Sequence, residues 1–313
     1  MTARRVLVTP RSLSAPGPSA AIDRLTAAGY EVVTPAPGRQ PTTAELVAAV
    51  PGAVGWVAGV EPIGPEVLQH ADALRVISRN GAGRDAIDPR AADAAGVTVL
   101  TARGANARGV AELALGLMIE GLRGVTEASA ALRSGTWERT AGREVEARRL
   151  GIVGYGAIGR HLGRFARALD MEVVAHDPFL DDADVPLVEL DTLLGTSEVV
   201  SLHVPPGPDG PLLDARRVGL LRDDVVLLNT ARSTLVDEVA LLARLEAGHV
   251  SRYSVDAFAV EPPPASALLA HPRVVPTPHL GAATAESSRR AADAAVDNLL
   301  AELAERGGSD GGR

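Results

Sequence analysis

Leu150-Gly151-Ile152-Val153-Gly154-Tyr155-Gly156-Ala157-Ile158-Gly159-Arg160 lies near the middle of the chain. Leu150 to Val153 is a short apolar run of the kind that forms a buried parallel strand. It runs straight into G-x-G-x-x-G. Arg160 to Leu169 then has helical character, and Glu172 to Ala175 is a second apolar run ending at His176-Asp177. Glycine is common here, with 32 residues, so the glycines alone say little. Their order with strand, helix, strand and acid is what a dinucleotide-binding unit requires. Gly154 permits the tight turn, Gly156 lets the backbone approach a pyrophosphate, and Gly159 lets the helix pack closely on the strand. The helix start offers unpaired N–H groups and the positive end of its dipole. Asp177 is placed to accept hydrogen bonds from the adenosine ribose hydroxyls. It would repel the extra phosphate of NADP, and no Arg follows it immediately, so NAD is the expected cofactor.

Composition removes several chemistries. The chain has 313 residues, enough for two domains of ordinary size. There is no cysteine, which excludes disulfides, thiolate metal sites and a cysteine nucleophile. There is also no lysine; all 31 basic side chains are Arg. Schiff-base chemistry and a P-loop lysine are therefore impossible. An Arg-only, Ala-rich chain points to a GC-rich bacterial genome. Net charge is −8, and the Arg residues are scattered, so no nucleic-acid partner is expected. The N-terminal run Arg4 to Thr9 is strand length, not a signal peptide or a membrane span. Ala111 to Leu122, the longest helical apolar stretch, is interrupted by Glu112 and Glu120. A cytoplasmic enzyme without a metal site is expected.

Outside the glycine stretch, strand-like runs alternate with Ala-rich amphipathic stretches along the whole chain. The runs are Val6–Thr9, Glu31–Thr34, Gly55–Ala58, Arg75–Ser78, Val97–Leu100, Glu198–Leu202, Val225–Asn229, Arg252–Val255 and Val274–Val275. That rhythm means α/β architecture with mainly parallel sheets. Helical stretches at Ala107–Gly121 and Ala283–Glu305 stand where two domains would join. Arg133–Arg149, with Trp137, reads as a polar, irregular arm. The Gly-rich tail Gly307–Arg313 is expected to be disordered.

Three motifs then begin near strand ends: Leu228-Asn229-Thr230-Ala231-Arg232, Ser254-Val255-Asp256-Ala257-Phe258-Ala259-Val260-Glu261-Pro262, and Pro276-Thr277-Pro278-His279-Leu280-Gly281-Ala282. Taken singly, each charged residue has an ordinary explanation, such as a surface salt bridge or a turn beside proline. Together they fall on the edge where open α/β sheets bind ligands. Arg232 could hold a keto-acid carboxylate through two parallel hydrogen bonds. His279 could protonate a carbonyl oxygen as hydride reaches the carbon. A buried Glu261 beside it would favour the imidazolium. Asp256 could bond the nicotinamide amide or order the site.

With these motifs, the chain resembles the D-isomer-specific 2-hydroxyacid dehydrogenases, nearest the D-3-phosphoglycerate dehydrogenase branch. The likeness extends from Gly55 through the last long helix. Its other pieces are Val57 to Ile63, Ile77 to Asp88, and Asn106 through Val110-Ala111-Glu112. The resemblance implies two Rossmann-like, doubly wound parallel-sheet domains. The substrate domain would be discontinuous, 1–101 and 284–313, with the NAD-binding domain, 102–283, inserted. It implies a catalytic trio of Arg232, Glu261 and His279. It implies NAD contacts at Ala82, Gly154, Gly156, Ala157, Ile158, Gly159, Asp177, Val204, Thr230, Ala231, Asp256 and Gly281. Substrate contacts would fall on Gly59, Arg79, Gly81, Arg84, Asn106 and Arg232. A homodimer is implied, with an arm near Arg123–Arg149 contributing.

Three departures bear on the substrate. Ser233 follows the catalytic Arg where the family has Gly. Ala58-Gly59 occupies the loop where phosphoglycerate-using relatives often have Arg-Ser. Arg84 replaces an aromatic or aliphatic residue of the Gly-x-Asp turn. Arg79 and Arg84 still offer an anion site, so the expected substrate is a small 2-hydroxy acid with a second anionic group. Glyoxylate, hydroxypyruvate and a phosphonate intermediate are the alternatives. An NADH-sensing binding protein like the C-terminal-binding-protein corepressors is a remote one, since those also keep Arg, Glu and His. A serine-responsive regulatory domain is not expected.

Overall fold

The computed structural model describes residues 4–137 and 139–309, except for the side chains of 307–309. The chain forms two compact units, Met1–Asn106 with Ala285–Arg313, and Ala107–Thr284.

The first unit holds β1 (Arg4–Val8), β2 (Tyr30–Val33), β3 (Ala53–Ala58), β4 (Val76–Arg79) and β5 (Thr98–Thr101). They form one sheet in the order β2-β1-β3-β4-β5, with every pairing parallel. Each strand carries β-branched residues, and helices cover both faces, as a parallel sheet needs. On one face Leu46, Val67 and Ile87 close over Trp56 and Ile77. On the other, Val296, Leu299 and Leu303 of the last helix, Ala285–Ser309, close over Val6, Val57 and Val76. Gly55 makes room for that helix, because a Cβ there would stand 3.2 Å from the methyls of both Leu299 and Leu303. Residues almost three hundred positions from β1 thus complete its hydrophobic face.

The second unit holds β6 (Arg149–Val153), β7 (Glu172–His176), β8 (Val199–Leu202), β9 (Val225–Asn229), β10 (Val250–Val255) and β11 (Val274–Pro276). Their order is β11-β10-β9-β8-β6-β7, again all parallel. A single parallel bridge, Ala175↔Leu187, extends the β7 edge. The order reverses at β6, with β7 on one side and β8 on the other, which creates a topological switch point. Gly151 at the centre of β6 lies against Leu193 and Ser197, leaving no space for a side chain.

All eleven expected strands are present, shifted by a residue or two at their ends. The long helices run over Ala107–Arg123, Ala157–Arg167 and Ala285–Ser309. The last one corrects the expected tail, since the backbone stays helical through Ser309. Residues 310–313 of that tail lie outside the described residues. Between them, helix Val125–Arg133 buries none of its residues, and Trp137 in the irregular arm that follows is 78% exposed. Glu138 of the arm lies outside the described residues. Among the described residues, no helix is long and apolar enough to cross a membrane.

Leu299 is fully buried under the first sheet. Leu299→Ala is expected to cost about 2–5 kcal/mol, measured as a lower urea midpoint with an unchanged slope.

Candidate active site

Because β6 to β11 are parallel, their C-terminal ends share one edge, and each motif of the second unit leaves the sheet there. The glycine turn leaves β6. Gly154 has φ +91°, and a Cβ on it would stand 2.7 Å from the carbonyl oxygen of His203 after β8. Only glycine tolerates both conditions. Gly159 lies so close to Gly154 that any side chain would overlap the Gly154 carbonyl. Gly156, by contrast, faces open space. It is the N-cap of helix Ala157–Arg167, and no side chain caps that end, so the first N–H groups remain available. Asp177 stands just past β7. One carboxylate oxygen accepts from the Tyr155 N–H at 3.0 Å, the other from the Phe179 N–H at 3.1 Å. Its charge therefore stays beside the glycine turn.

Tyr155 fixes the turn from below. Its phenol is fully buried and donates to Asp184 at 2.9 Å. Asp184 also pairs with Arg167 and Arg160. Burial, with the Asp184 carboxylate, pushes the phenol up to about 12.

Two buried polar atoms at this edge lack a partner among the described residues: His203 Nδ1 after β8 and Thr230 Oγ1 after β9. Orphaned polar atoms on a ligand-binding edge fit a bound group that carries complementary donors and acceptors. Burial pushes the His203 imidazole down to about 4, which keeps it neutral. Val204, next to it, is partly buried.

The loop after β9 is held by Asn229, which is fully buried. Its amide donates to the Arg232 carbonyl at 2.8 Å and to the Tyr253 hydroxyl at 3.3 Å, and its oxygen accepts from the Ala231 N–H at 3.2 Å. These bonds turn Thr230-Ala231-Arg232 back over the strand end. Ser233 continues the turn, its N–H donating to the Ala257 carbonyl at 2.8 Å. Asn229 and Tyr253 were not among the expected site residues. An apolar strand ending in Asn is a common pattern, and the Tyr253 contact joins positions 24 residues apart.

Asp256 does the same for the loop after β11. One of its oxygens accepts from the Thr277 hydroxyl at 2.6 Å and the Leu280 N–H at 2.7 Å; the other accepts from the Gly281 N–H at 2.9 Å. Its carbonyl accepts from the His279 N–H at 2.9 Å. His279 sits at φ +52°, a region that L-residues enter at a cost. The Asp256 bonds hold it there. Of the two tasks expected for Asp256, ordering the site is the one its hydrogen bonds perform.

His279 Nδ1 lies 2.8 and 2.9 Å from the two Glu261 oxygens. With Glu261 ionised, Nδ1 carries the proton and donates, leaving Nε2 as the reactive nitrogen. The Glu261 side chain is 41% exposed, which corrects the expectation of a buried carboxylate. Partial burial works against its charge. The Phe258 N–H, His279 and the charge of Arg232 together hold its carboxyl below the usual range. Arg232, Glu261 and His279 therefore form one electrostatic group on the second unit.

The other expected residues belong to the first unit. Gly59 follows β3, Arg79 ends β4, and Gly81, Ala82 and Arg84 follow it; Asn106 is at the unit's last position before Ala107. The Arg79 guanidinium folds over Gly81 and donates to the Asn80 carbonyl at 2.6 Å. The Gly59 N–H donates to Glu61 Oε1 at 2.9 Å. Ala82 and Arg84 are exposed. Among the described residues no cluster of His, Asp and Glu has the makings of a metal site.

Known proteins are similar to this chain over most of its length. The profile described as "D-isomer specific 2-hydroxyacid dehydrogenase, NAD binding domain" matches residues 115–281, inside the second unit. A hydroxypyruvate reductase of Thermotoga maritima is 37% identical over 246 residues, 76% of this chain and 80% of that one. A D-3-phosphoglycerate dehydrogenase of Mycobacterium tuberculosis is 37% identical over 273 residues, 84% of this chain. The match spans about half, 52%, of that longer relative. The crystal structure of the TT0316 protein from Thermus thermophilus superposes with a TM-score of 0.85 at 36% identity, covering 96% of this chain and 97% of that one.

Two outcomes are expected. Gly159→Val should weaken NADH binding by about tenfold or more, measured by fluorescence titration, because the helix must back away from the turn. Glu261→Gln should lower kcat by about tenfold to a hundredfold.

Proposed function

The chain belongs to the D-isomer-specific 2-hydroxyacid dehydrogenases, NAD-dependent oxidoreductases acting on CH–OH, and we propose that Arg232, Glu261 and His279 carry its reaction. The observation behind this reading is the His279–Glu261 pair, 2.8 Å apart and under the charge of Arg232, on the sheet edge that bears the glycine turn. NAD, when bound, supplies or accepts the hydride.

The chain's own groups do the rest. Asp177 would hold the ribose hydroxyls, and the N–H groups at Gly156, Ala157, Ile158 and Gly159 would hold the pyrophosphate. Val204, Thr230, Ala231 and Gly281 complete the proposed cofactor contacts on the second unit; the remaining candidate, Ala82, lies on the first. Arg232 grips the substrate carboxylate through its planar fork. His279 Nε2 gives its proton to the carbonyl oxygen as the 2-hydroxy acid forms, and removes it in the reverse direction. Glu261 keeps the ring oriented with Nδ1 protonated. Asp256 and Asn229 keep His279 and Arg232 aimed, and this order is what makes the site effective.

The favoured substrate is a small 2-keto acid with a second anionic group; the further candidate contacts Arg79, Arg84, Gly59, Gly81 and Asn106 all lie on the first unit. The second reading is glyoxylate or hydroxypyruvate. The fold-back of Arg79 onto Asn80 and the small Ala58-Gly59 loop favour it, as does the resemblance to a hydroxypyruvate reductase. In this assignment the first unit is the substrate domain and the second the NAD domain. A cytoplasmic homodimer completes the proposal. Val125 and Leu132, each 58% exposed, and Trp137 give the arm an apolar surface suited to a second copy.

NADH oxidation against glyoxylate, hydroxypyruvate, 3-phosphohydroxypyruvate and 3-phosphonopyruvate tests the reading; no turnover with any of them would overturn it in favour of a nucleotide-sensing role. His279→Ala should reduce kcat by about a hundredfold or more while NADH still binds.

A further inference from the structure

Within the first unit, β5 is the outermost strand of its sheet, so one of its sides has no neighbouring strand. The Thr98 N–H donates to the Arg75 carbonyl at 2.9 Å and the Ala102 N–H to the Arg79 carbonyl at 3.2 Å, both toward β4. Alternation along the strand turns the peptide groups of Val97, Val99 and Thr101 the other way. At either end of that side they are engaged. The Val97 N–H donates to the Ala92 carbonyl at 3.0 Å, and the Thr101 carbonyl accepts from the Asn298 amide at 3.1 Å. Between them, the outward peptide groups of Val99 have no partner among the described residues.

A cavity of about 490 Å³ lies against this edge, between β5, the short helix Pro89–Ala94 and the end of the last helix. Small-molecule sites have volumes of this order. Ile87 and Val97, both buried, and the half-buried Val99 give it an apolar wall.

Charged groups complete the wall. The Arg306 guanidinium is fixed on it, donating to Thr98 Oγ1 at 2.6 Å and to the Gly96 carbonyl at 3.4 Å, both cavity residues. Glu302 pairs with the same guanidinium at 2.9 Å and balances its charge. Arg84 and Asp93 also line the cavity. Among the described residues neither side chain has a hydrogen-bonding or ionic partner, so they do not pair with each other. The cavity therefore offers an uncompensated positive group and an uncompensated negative group beside an apolar surface. A simple anion would leave Asp93 unanswered, and a simple cation would meet Arg84 and Arg306. A zwitterion answers both.

We propose that this cavity binds a free α-amino acid with an apolar side chain. Arg84, with the fixed charge of Arg306 and the Val99 N–H, holds the carboxylate; Asp93 holds the ammonium; Ile87, Val97 and Val99 cover the side chain. All of these residues lie on the first unit, whereas Arg232, Glu261 and His279 lie on the second. The site is thus complete without the groups that carry the reaction, and Arg84 serves a ligand other than the keto acid.

Isothermal titration of the full-length protein with L-leucine, 4-methylpentanoate and 3-methylbutylamine tests this, because the last two keep the side chain but lack the ammonium or the carboxylate. L-Leucine should bind, and each of the others about tenfold or more weakly. Asp93→Asn should weaken L-leucine about tenfold and leave 4-methylpentanoate unchanged, whereas Arg84→Ala should weaken L-leucine about tenfold and leave 3-methylbutylamine unchanged. Val99→Trp, which fills the cavity, should abolish L-leucine binding. Arg232→Ala should leave it intact. No binding of L-leucine, equal binding of 4-methylpentanoate, indifference to Asp93→Asn and Arg84→Ala, or a loss caused by Arg232→Ala overturns the proposal. Since binding and not turnover is read, each of these failures leaves the oxidoreductase reading standing. Arg84 and Asp93 are exposed, so their variants retain the fold, which circular dichroism verifies.

Discussion

Parallel pairing is the constraint from which the rest follows. A parallel strand cannot be joined to its neighbour by a tight turn, so the chain must cross back over the sheet each time. Those crossovers become the covering helices, and every strand in a sheet ends on the same edge. Residues as distant as Gly154, Arg232, Asp256 and His279 are therefore delivered to one edge without any direct sequence relation. Where the strand order reverses, at β6 in one sheet and β1 in the other, adjacent loops part and leave space for a ligand.

The edge would be useless if its loops were loose. Buried polar side chains tighten them: Asn229 for the loop that carries Arg232, Asp256 for the loop that carries His279, and Thr9 with Glu61 for the first sheet. Each accepts or donates several hydrogen bonds in a region of low dielectric, where losing one is costly. His279 illustrates the result, since a left-handed backbone at a non-glycine residue persists only when its surroundings enforce it.

The strands were readable because each is an apolar run bounded by a change of period, and burial on both faces demands such runs. The glycine roles were readable for a similar reason: a turn with φ +91°, a close helix and an open approach each leave a residue without a side chain. Asn229, Tyr253 and the Thr9–Glu61 bond were not. The last joins positions 52 apart, and no local spacing announces it. Helix ends were also missed, as in the last helix, whose backbone stays helical past two glycines that local propensity would stop at.

The sequence by itself determined the fold class, the cofactor and the family of reaction. These depend on residue type and order: apolar periodicity, glycines that exclude a side chain, an acid at the end of the second strand. Only the tertiary structure decided which groups are free to act. It showed that the Gly59 N–H and both Asp256 oxygens are already engaged, and that Glu261 is half exposed. Hydrogen-bond saturation and exposure depend on partners brought from elsewhere in the chain, and folding alone assigns those partners.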